Sequence, residues 1–345
     1  MKVYIILTLF ALTHLSVFSQ QRFELDDKTE QKIDKIISEL TLIEKVGQTC
    51  QITLDAILAR DESGKLLEPI QFDPDKFNEA LCEYRIGSIL NVSSHTLNQD
   101  EWDNLLPRVN NAWLNKKINV PIIYGIDAIH GVNYTVGATL FPQEIGLAAT
   151  WNNDLSYTFG EITAYEMRKT GLRWNFSPVL DLGRQPLWSR FFETLGEDPY
   201  LAGELGESII MGYQGSNYQF LDNNHVASCL KHFVGYSMPQ SGRDRTPAWI
   251  PQKFMTELYL PPFKQSIDAG AMTLMINSGD VNGIPGHVNK ALLTDLLKEE
   301  WGFKGFTVSD WEDFLMLETV HNVAADQSEA IAMAINAGLD MSMVP

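Results

Sequence analysis

The amino-acid sequence predicts an α/β protein with a (β/α)8 barrel fold, on three observations. Short apolar runs recur along the chain, and most of them are followed by a stretch with helical spacing of apolar residues. The runs are apolar at nearly every position, which is typical of parallel strands covered by helices on both faces. Neither a GxGxxG loop nor a phosphate-binding loop motif follows the first runs, so a doubly wound nucleotide-binding sheet has no support.

Seven apolar runs are predicted strands, and residues 46–52 are a candidate for the eighth, so one strand could be irregular or missing. The seven runs cover residues 86–92, 120–127, 174–181, 227–235, 271–278, 305–310 and 339–344. The sequence contains no internal repeat, low-complexity tract or Pro/Ser-rich linker. These features predict one barrel domain over residues 20–345.

The predicted helices between these runs have recognisable ends. Most begin at a capping residue, and two of them stop at a glycine. The first helix covers residues 27–40, and a capping box at Thr41 and Glu44 opens the second. An N-cap at Asp198 before Pro199 opens a later helix, and two more run from Asn289 to near Gly302 and from Ser328 to Gly338.

Charge and cysteine content exclude two classes of protein. Lys and Arg number 26 against 44 Asp and Glu, so the formal net charge is −18. A field of that sign repels phosphate, and no nucleic-acid partner is expected. Cys50, Cys82 and Cys229 form no CxxC or metal-like spacing, and three cysteines leave at least one unpaired. We expect buried small side chains rather than a disulfide scaffold.

The first 19 residues have the features of a cleaved secretory signal. Lys2 precedes an apolar run over residues 3–12, and Val17 and Ser19 place suitable residues at a cleavage site. The run is too short to span a bilayer, and no later stretch reaches about 18 apolar residues. We therefore expect a mature protein that begins near Gln20, is secreted or periplasmic, and has no stable membrane insertion.

Polar side chains stand where the predicted strands end, which in a barrel is the mouth of the active site. They are Asp127, Asp181, Lys231 with His232, Asn277 with Ser278, and Asp310 with Trp311. Carboxylates and a lysine can hydrogen-bond pairs of hydroxyls, and an aromatic face can pack against a sugar ring. The sequence therefore predicts a polyol site.

Longer stretches resemble glycoside hydrolase family 3, in its N-terminal barrel domain. Seven motifs match in family order over roughly residues 30 to 345, so a chance match is very improbable. They are Tyr124-Gly-Ile-Asp-Ala-Ile-His-Gly131, Leu140-Phe-Pro-Gln-Glu-Ile-Gly-Leu-Ala-Ala-Thr-Trp-Asn152, Phe176-Ser-Pro-Val-Leu-Asp181, Trp188-Ser-Arg-Phe-Phe-Glu-Thr-Leu-Gly-Glu-Asp-Pro-Tyr200, Lys231-His-Phe233, Val308-Ser-Asp-Trp311 and Ala337-Gly-Leu-Asp-Met341.

The resemblance implies a role for six residues. Asp310 matches the catalytic nucleophile, and Asp127 matches the carboxylate that grips hydroxyls of the non-reducing terminal sugar. Residues that match other binders of that sugar are Arg190, Lys231 and His232, and Trp311 matches a wall of the acceptor side. Two structural alternatives remain open: Arg190 could pair with Glu193 or Glu197 to hold its loop, and Lys231-His232 could be an ion pair under the rim. Asp181 is ambiguous and is not included in the predicted site.

The chain departs from the family pattern in three places. Pro186-Leu-Trp-Ser-Arg190 lacks an arginine and a glycine that many members have, and Ser278 stands where a tyrosine is frequent. The family's general acid/base lies on a C-terminal α/β domain, so we expect it outside the present chain. Tyr236 replaces a histidine of the family's single-domain β-N-acetylglucosaminidases, which argues for the β-glucosidase branch.

The resemblance thus implies a retaining, exo-acting β-glucosidase, a glycoside hydrolase that releases glucose from β-glucosides or β-glucan oligosaccharides. It implies no metal and no organic cofactor, and its partners would be β-linked sugars and the protein's own C-terminal domain. A non-catalytic sugar-binding barrel is the main alternative, and a β-N-acetylglucosaminidase or a Schiff-base aldolase with Lys231 as nucleophile is a more distant one.

Overall fold

The computed structural model describes residues 26–92, 96–114, 120–215 and 221–345. Eight of its strands form one sheet in which neighbouring strands are parallel, and two form a separate antiparallel hairpin. The strands are β1 (Cys50–Thr53), β2 (Ser88–Leu90), β3 (Ile123–Ile126), β4 (Trp174–Asn175), β5 (Ala227–Phe233), β6 (Thr273–Ile276), β7 (Asp280–Val281), β8 (Ile284–Pro285), β9 (Phe306–Val308) and β10 (Ser342–Met343). The hairpin is β7 with β8.

The sheet closes on itself as a barrel. β10 pairs with β1, with Cys50 opposite Ser342. On the other side, Val308 of β9 bridges Met341, and the backbone N–H of Ser309 donates to the Met341 carbonyl oxygen at 2.9 Å. The predicted (β/α)8 barrel is therefore confirmed.

Helices follow most of the strands and surround the barrel. They are α1 (Asp27–Glu39), α2 (Leu42–Gln48), α3 (Pro74–Asn78), α4 (Gln99–Leu114), α5 (Glu144–Ala148), α6 (Asn153–Lys169), α7 (Pro199–Gln214), α8 (Gln252–Phe254), α9 (Leu260–Asp268), α10 (Asp313–Thr319) and α11 (Gln327–Ala337). Three segments are π-helical: Glu79–Glu83 after α3, Met255–Tyr259 between α8 and α9, and Ala291–Glu300.

The observed strands are shorter than the predicted runs, and two predictions differ in a further respect. β4 is the irregular strand, because beyond its two residues only Val179 bridges to β5. The candidate strand over residues 46–52 is wrong in its first half, which lies in α2. The Thr41 hydroxyl accepts the Glu44 N–H while the Glu44 carboxylate accepts the Thr41 N–H. This reciprocal capping satisfies N–H groups that a helix end leaves open, and so favours a helix there.

Capping also sets the start of the later helices. The Asp198 carboxylate accepts the Leu201 N–H at 2.8 Å, which confirms the predicted N-cap of α7. α11 begins earlier than predicted. Asp326, rather than Ser328, is its N-cap, because the Asp326 carboxylate accepts the Glu329 N–H at 2.9 Å.

The barrel interior forms a core of its own. Its buried members are Leu90, Trp174, Phe176, Cys229, Met275, Val308, Met341 and Met343. A larger core lies between the sheet and the surrounding helices. Of the three cysteines, Cys229 is buried as predicted, whereas Cys50 and Cys82 are partly exposed, and none forms a disulfide. The interior core closes the barrel below its mouth, so a ligand at the mouth rests on apolar side chains.

The predicted signal over residues 1–19 lies outside the described residues. None of the helices in the described part of the chain combines the length and the hydropathy that crossing a bilayer requires.

Candidate active site

A pocket of about 310 Å³ opens at the carboxyl ends of the barrel strands. It contains all six residues that the sequence predicts for the site. Its lining residues are Leu90, Asn91, Asp127, Ile129, Arg190, Glu193, Lys231, His232, Met275, Asp310, Trp311 and Met343. Two larger cavities, of about 1480 and 420 Å³, lie between outer helices and at the amino-terminal ends of the strands. We place the site in the smaller pocket because the ionisable side chains converge there.

Asp127 is held by a direct ion pair and an amide. The Lys231 ammonium donates to Asp127 Oδ1 at 2.6 Å, and the Asn91 amide donates to Asp127 Oδ2 at 2.9 Å. The Asp127 backbone N–H donates in turn to Asn91 Oδ1. Lys231 is buried, whereas the Asp127 side chain is 35% exposed. The carboxylate therefore keeps lone pairs available to a ligand while its orientation is fixed.

His232 is oriented by Asp181, the residue that the sequence left ambiguous. Asp181 Oδ2 lies 2.7 Å from His232 Nδ1 and accepts the His232 backbone N–H at 2.9 Å. Burial, reinforced by Arg190, Lys231 and Arg245, holds the pKa of His232 well below its usual range. Its ring is therefore neutral. Burial raises the pKa of Asp181 to about 7, and above that pH the ionised carboxylate selects the tautomer with the proton on Nδ1. His232 Nε2 is then free to accept a hydrogen bond, and it lies 3.6 Å from Asp310 Oδ2.

Arg190 serves its loop and the pocket together. It donates to the two carboxylate oxygens of Glu193 at 2.9 and 2.7 Å, so the structural alternative with Glu193 is observed. Its other terminal nitrogen lies 3.9 Å from Asp310 Oδ2. Its guanidinium also lies over the ring of Tyr236. The arginine is thus fixed on one side and faces the pocket on the other.

The aromatic residues differ in exposure. Trp311 is 37% exposed at the pocket and Trp249 is 61% exposed, whereas Trp188 is buried and donates from its ring nitrogen to Asp244 at 2.7 Å. Tyr236 packs edge-on against both His232 and Trp188. Trp188 therefore supports the site from behind, and Trp311 alone of these tryptophans lines the pocket.

Asp310 is much more enclosed than Asp127, with a side chain that is 12% exposed. Ser278 Oγ donates to its Oδ2 at 2.9 Å, and the Trp311 backbone N–H donates to its Oδ1 at 2.6 Å. Burial alone would raise the pKa of Asp310. Arg190, Arg245 and the two hydrogen bonds together outweigh burial and bring this pKa below its ordinary value. Asp310 is therefore ionised although its side chain is almost fully buried.

Asp313 lies behind Asp310, and its protonation state is the opposite one. Burial, reinforced by the charge of Asp310, raises the pKa of Asp313 well above its usual range, and burial lowers that of His287 to about 3. Asp313 Oδ2 lies 3.4 Å from His287 Nε2, and neither atom has another partner. Both atoms are thus buried without a hydrogen bond, beside an Asp313 carboxyl that burial keeps neutral.

Sequence reasoning missed four residues of this arrangement. Asn91 stands at a strand end, so the same positional signal could have found it, and Asp181 was found by that signal but left out of the predicted site. Ser278 was noted at a strand end and as the replacement of a tyrosine, but not as a partner of Asp310, which its hydroxyl reaches. Arg245 belongs to a loop whose path only the folded chain shows. Among the described residues, no group of three or more His, Cys, Asp or Glu side chains could hold a metal ion.

Comparison with known protein families gives one match that covers most of the chain. Residues 41–345 match the glycosyl hydrolase family 3 N-terminal domain. A lysosomal β-glucosidase of Dictyostelium discoideum is 40% identical over 326 residues, which cover 91% of this chain and 39% of that protein. A periplasmic β-glucosidase of Salmonella typhimurium is 30% identical over 315 residues, or 90% of this chain and 37% of that protein. A β-xylosidase of Formosa agariphila is 36% identical over 236 residues, or 67% of this chain and 33% of that protein.

Solved structures show the same similarity. A β-glucosidase from Erythrobacter marinus superimposes with a TM-score of 0.83 at 30% identity, over 91% of this chain and 40% of that one. The Listeria innocua β-glucosidase in complex with glucose gives a TM-score of 0.77 at 28% identity, over 91% and 42%. The chain thus spans less than half the length of each of these relatives.

Proposed function

The chain belongs to glycosyl hydrolase family 3, and we propose that it forms the barrel domain of a retaining, exo-acting β-glucosidase. One observation carries the proposal: an ionised carboxylate, Asp310, lies in a small pocket beside hydroxyl-binding groups. A volume of about 310 Å³ is at the lower end of ligand pockets, which suits one sugar unit rather than a chain segment. Exo-action is the cleavage mode that such a pocket favours.

The hydroxyl-binding roles follow from the contacts. Asp127 and Lys231 supply an acceptor and a donor 2.6 Å apart, which suits a pair of neighbouring hydroxyls. His232 Nε2 and the free edge of Arg190 face the same space and can bind further hydroxyls. Trp311 offers an exposed aromatic surface for the leaving group. In this proposal these residues orient the sugar so that its anomeric carbon faces Asp310.

The proposed reaction has two displacements. An Asp310 oxygen attacks the anomeric carbon, the bond to the glycosidic oxygen breaks, and a general acid gives that oxygen a proton. Water then attacks the glycosyl ester, and the same group, now a base, takes the proton of the water, so Asp310 leaves as a carboxylate. Asp313, neutral and buried, does not compete as nucleophile.

We further propose that the acid/base stands on a C-terminal α/β domain beyond Pro345. In retaining enzymes this carboxyl lies about 5–5.5 Å from the nucleophile. Glu193 lines the pocket, but both of its oxygens are bound by Arg190. The greater length of the relatives agrees with a further domain.

The alternatives fit the contacts less well. A Schiff-base aldolase needs a lysine that is free to attack a carbonyl, whereas the Lys231 side chain is held in a direct contact with Asp127. A purely sugar-binding barrel would gain nothing from a desolvated, ionised Asp310. We also propose export through the predicted signal, in agreement with the periplasmic and lysosomal relatives. N-terminal sequencing of protein from its own host should then begin near Gln20.

The protein expressed from its complete reading frame tests the activity. Aryl β-glucoside should be hydrolysed faster than aryl β-xyloside, α-glucoside or β-N-acetylglucosaminide. Proton NMR should show β-glucose as the first product, and β-glucan oligosaccharides should lose one glucose at a time. A first product with α configuration would exclude the retaining mechanism, internal cleavage would exclude exo-action, and preference for the xyloside would assign the chain to β-xylosidases.

A further inference from the structure

We propose that Arg245 is a positioning residue that fixes the Asp310 carboxylate and the backbone of Trp311 for glycosyl transfer, an inference that rests on the proposed function. Arg245 comes from the loop over residues 239–248, which follows β5, and it does not line the pocket. Its side chain reaches the segment that carries the nucleophile. No contact of the sugar is needed for this role.

The Arg245 guanidinium joins three groups of that segment. Its Nη2 lies 3.6 Å from Asp310 Oδ1. Its Nη1 lies 3.0 Å from both the Trp311 carbonyl oxygen and Asp313 Oδ1. A planar guanidinium with several donors in fixed directions can serve all three at once, which a single ammonium cannot do. Asp310 and Trp311 are therefore held relative to each other by a side chain from a different strand unit.

The loop that carries Arg245 is itself anchored. Pro239 bridges Ala248 across its base, and the hydroxyls of Ser241 and Thr246 lie 2.7 Å apart. The Asp244 carboxylate accepts the Trp188 ring N–H, which ties the loop to the segment after β4. A side chain that starts from such a support loses little additional freedom when it binds.

The charge of Arg245 remains available to Asp310. Burial and the charge of Asp310 raise the pKa of Asp313, so its carboxyl is neutral and accepts from Arg245 without cancelling the positive charge. Arg190 is different, because Glu193 binds it bidentately at 2.7 and 2.9 Å. Of these two arginines, Arg245 is therefore the one whose charge is less compensated.

The test compares Arg245→Ala with two matched variants in the protein from its complete reading frame. Arg243→Ala removes the same charge from the same loop, but the Arg243 side chain is exposed and away from these contacts. Asp313→Asn keeps a neutral group that can accept from Arg245. We expect Arg245→Ala to lower kcat/KM for an aryl glucoside about 10- to 100-fold through kcat, with KM nearly unchanged.

Two further readouts separate positioning from a structural role. The acidic limb of the pH profile of kcat/KM should move up by about one unit in Arg245→Ala, because an opposite charge that favoured ionised Asp310 is gone. Added guanidinium should restore activity in Arg245→Ala and have no such effect on the two control variants. If Arg245→Ala does not fold, Arg245→Lys decides: it should retain the wild-type acidic limb and lose kcat.

The outcomes distinguish the two proposals. If the wild-type protein does not hydrolyse β-glucosides, the proposed function fails. If it does, and Arg245→Ala matches Arg243→Ala in kcat and in pH profile, the positioning role fails alone. A loss in Asp313→Asn as large as that in Arg245→Ala would also overturn it, because the neutral carboxyl would then be the essential group.

Discussion

Two carboxylates of the pocket, Asp127 and Asp310, lie in different electrostatic surroundings. Asp127 touches a cation directly, since Lys231 Nζ is 2.6 Å from its Oδ1. The nearest cations of Asp310 are Arg245 and Arg190, at 3.6 and 3.9 Å. The atoms in hydrogen-bond contact with Asp310 are neutral donors. Its side chain is also the more enclosed, 12% exposed against 35%.

This difference teaches how one pocket can hold two carboxylates for two tasks. The direct ion pair with Lys231 occupies one lone pair of Asp127 and compensates its charge. The carboxylate then remains as a fixed acceptor for hydroxyl groups. Cations at a longer distance lower the pKa of Asp310 without occupying the carboxylate. The negative charge of Asp310 is therefore not cancelled by a direct ion pair. In the proposed reaction it can stabilise the positive charge that develops at the anomeric carbon.

The largest effect should come from removing the Asp310 carboxylate. Asp310→Ala should lower kcat about 10³-fold or more, because no other group can form the glycosyl ester. Binding of gluconolactone, measured by calorimetry, should survive because the hydroxyl contacts come from other residues.

A 2-deoxy-2-fluoro glucoside with a good leaving group locates the nucleophile independently. The wild-type protein should carry the label on the peptide that contains Val308-Ser-Asp-Trp311. A label on Asp127 would reverse the roles assigned to Asp127 and Asp310. A label on Asp181 would mean that neither of these two carboxylates is the nucleophile.

A smaller effect should come from a substitution of Asp127. Asp127→Asn keeps the size of the side chain and removes its charge, so hydrogen bonds to sugar hydroxyls weaken and gluconolactone should bind about 10- to 100-fold less tightly. Asp295→Asn is the matched control, because Asp295 also lies 2.6 Å from a lysine, Lys290, but both are exposed. Equal loss in the two variants would mean that the effect is not specific to the pocket.

The smallest effect concerns two carboxyls, Glu144 and Asp181, in which burial outweighs the nearby charges of Lys231 and Arg190, and it extends the comparison below the pocket. Burial raises the pKa of Glu144 from 4.5 to about 8 and that of Asp181 from 3.8 to about 7. Between the ordinary and the raised values, the folded chain holds protons that the unfolded chain has released. The contribution of these two carboxyls to stability is therefore largest at acidic pH and is lost as the pH rises through 7 to 8.

Thermal melts check this dependence. From pH 5 to pH 8.5 the Tm of the wild type should fall by ~5 °C or more relative to that of Glu144→Gln, which is neutral at every pH. Asp340→Asn offers a control, because Asp340 is paired with Lys298. A slope unchanged in Glu144→Gln would show that Glu144 is ionised in the folded protein, like Asp310.

Much of the fold and most of the site could be predicted because both follow from the order of strands. Each apolar run became part of the barrel, and parallel strands bring their carboxyl ends to one mouth. Asp127, Lys231, His232 and Asp310 each stand at such an end, so position along the chain was sufficient to group them. The extent of β4 and the start of α11 could not be predicted, because local capping and irregular pairing set them.

The sequence by itself determined which side chains meet at the barrel mouth and which family they belong to. Only the tertiary structure decided how those side chains are charged. It brought Arg245 from a distant loop to Asp310 and placed Asp181 against His232. It also buried Asp313, which is neutral, next to the ionised Asp310. The physical reason is that a pKa depends on distance, desolvation and donor direction in three dimensions, and spacing along the chain encodes none of these.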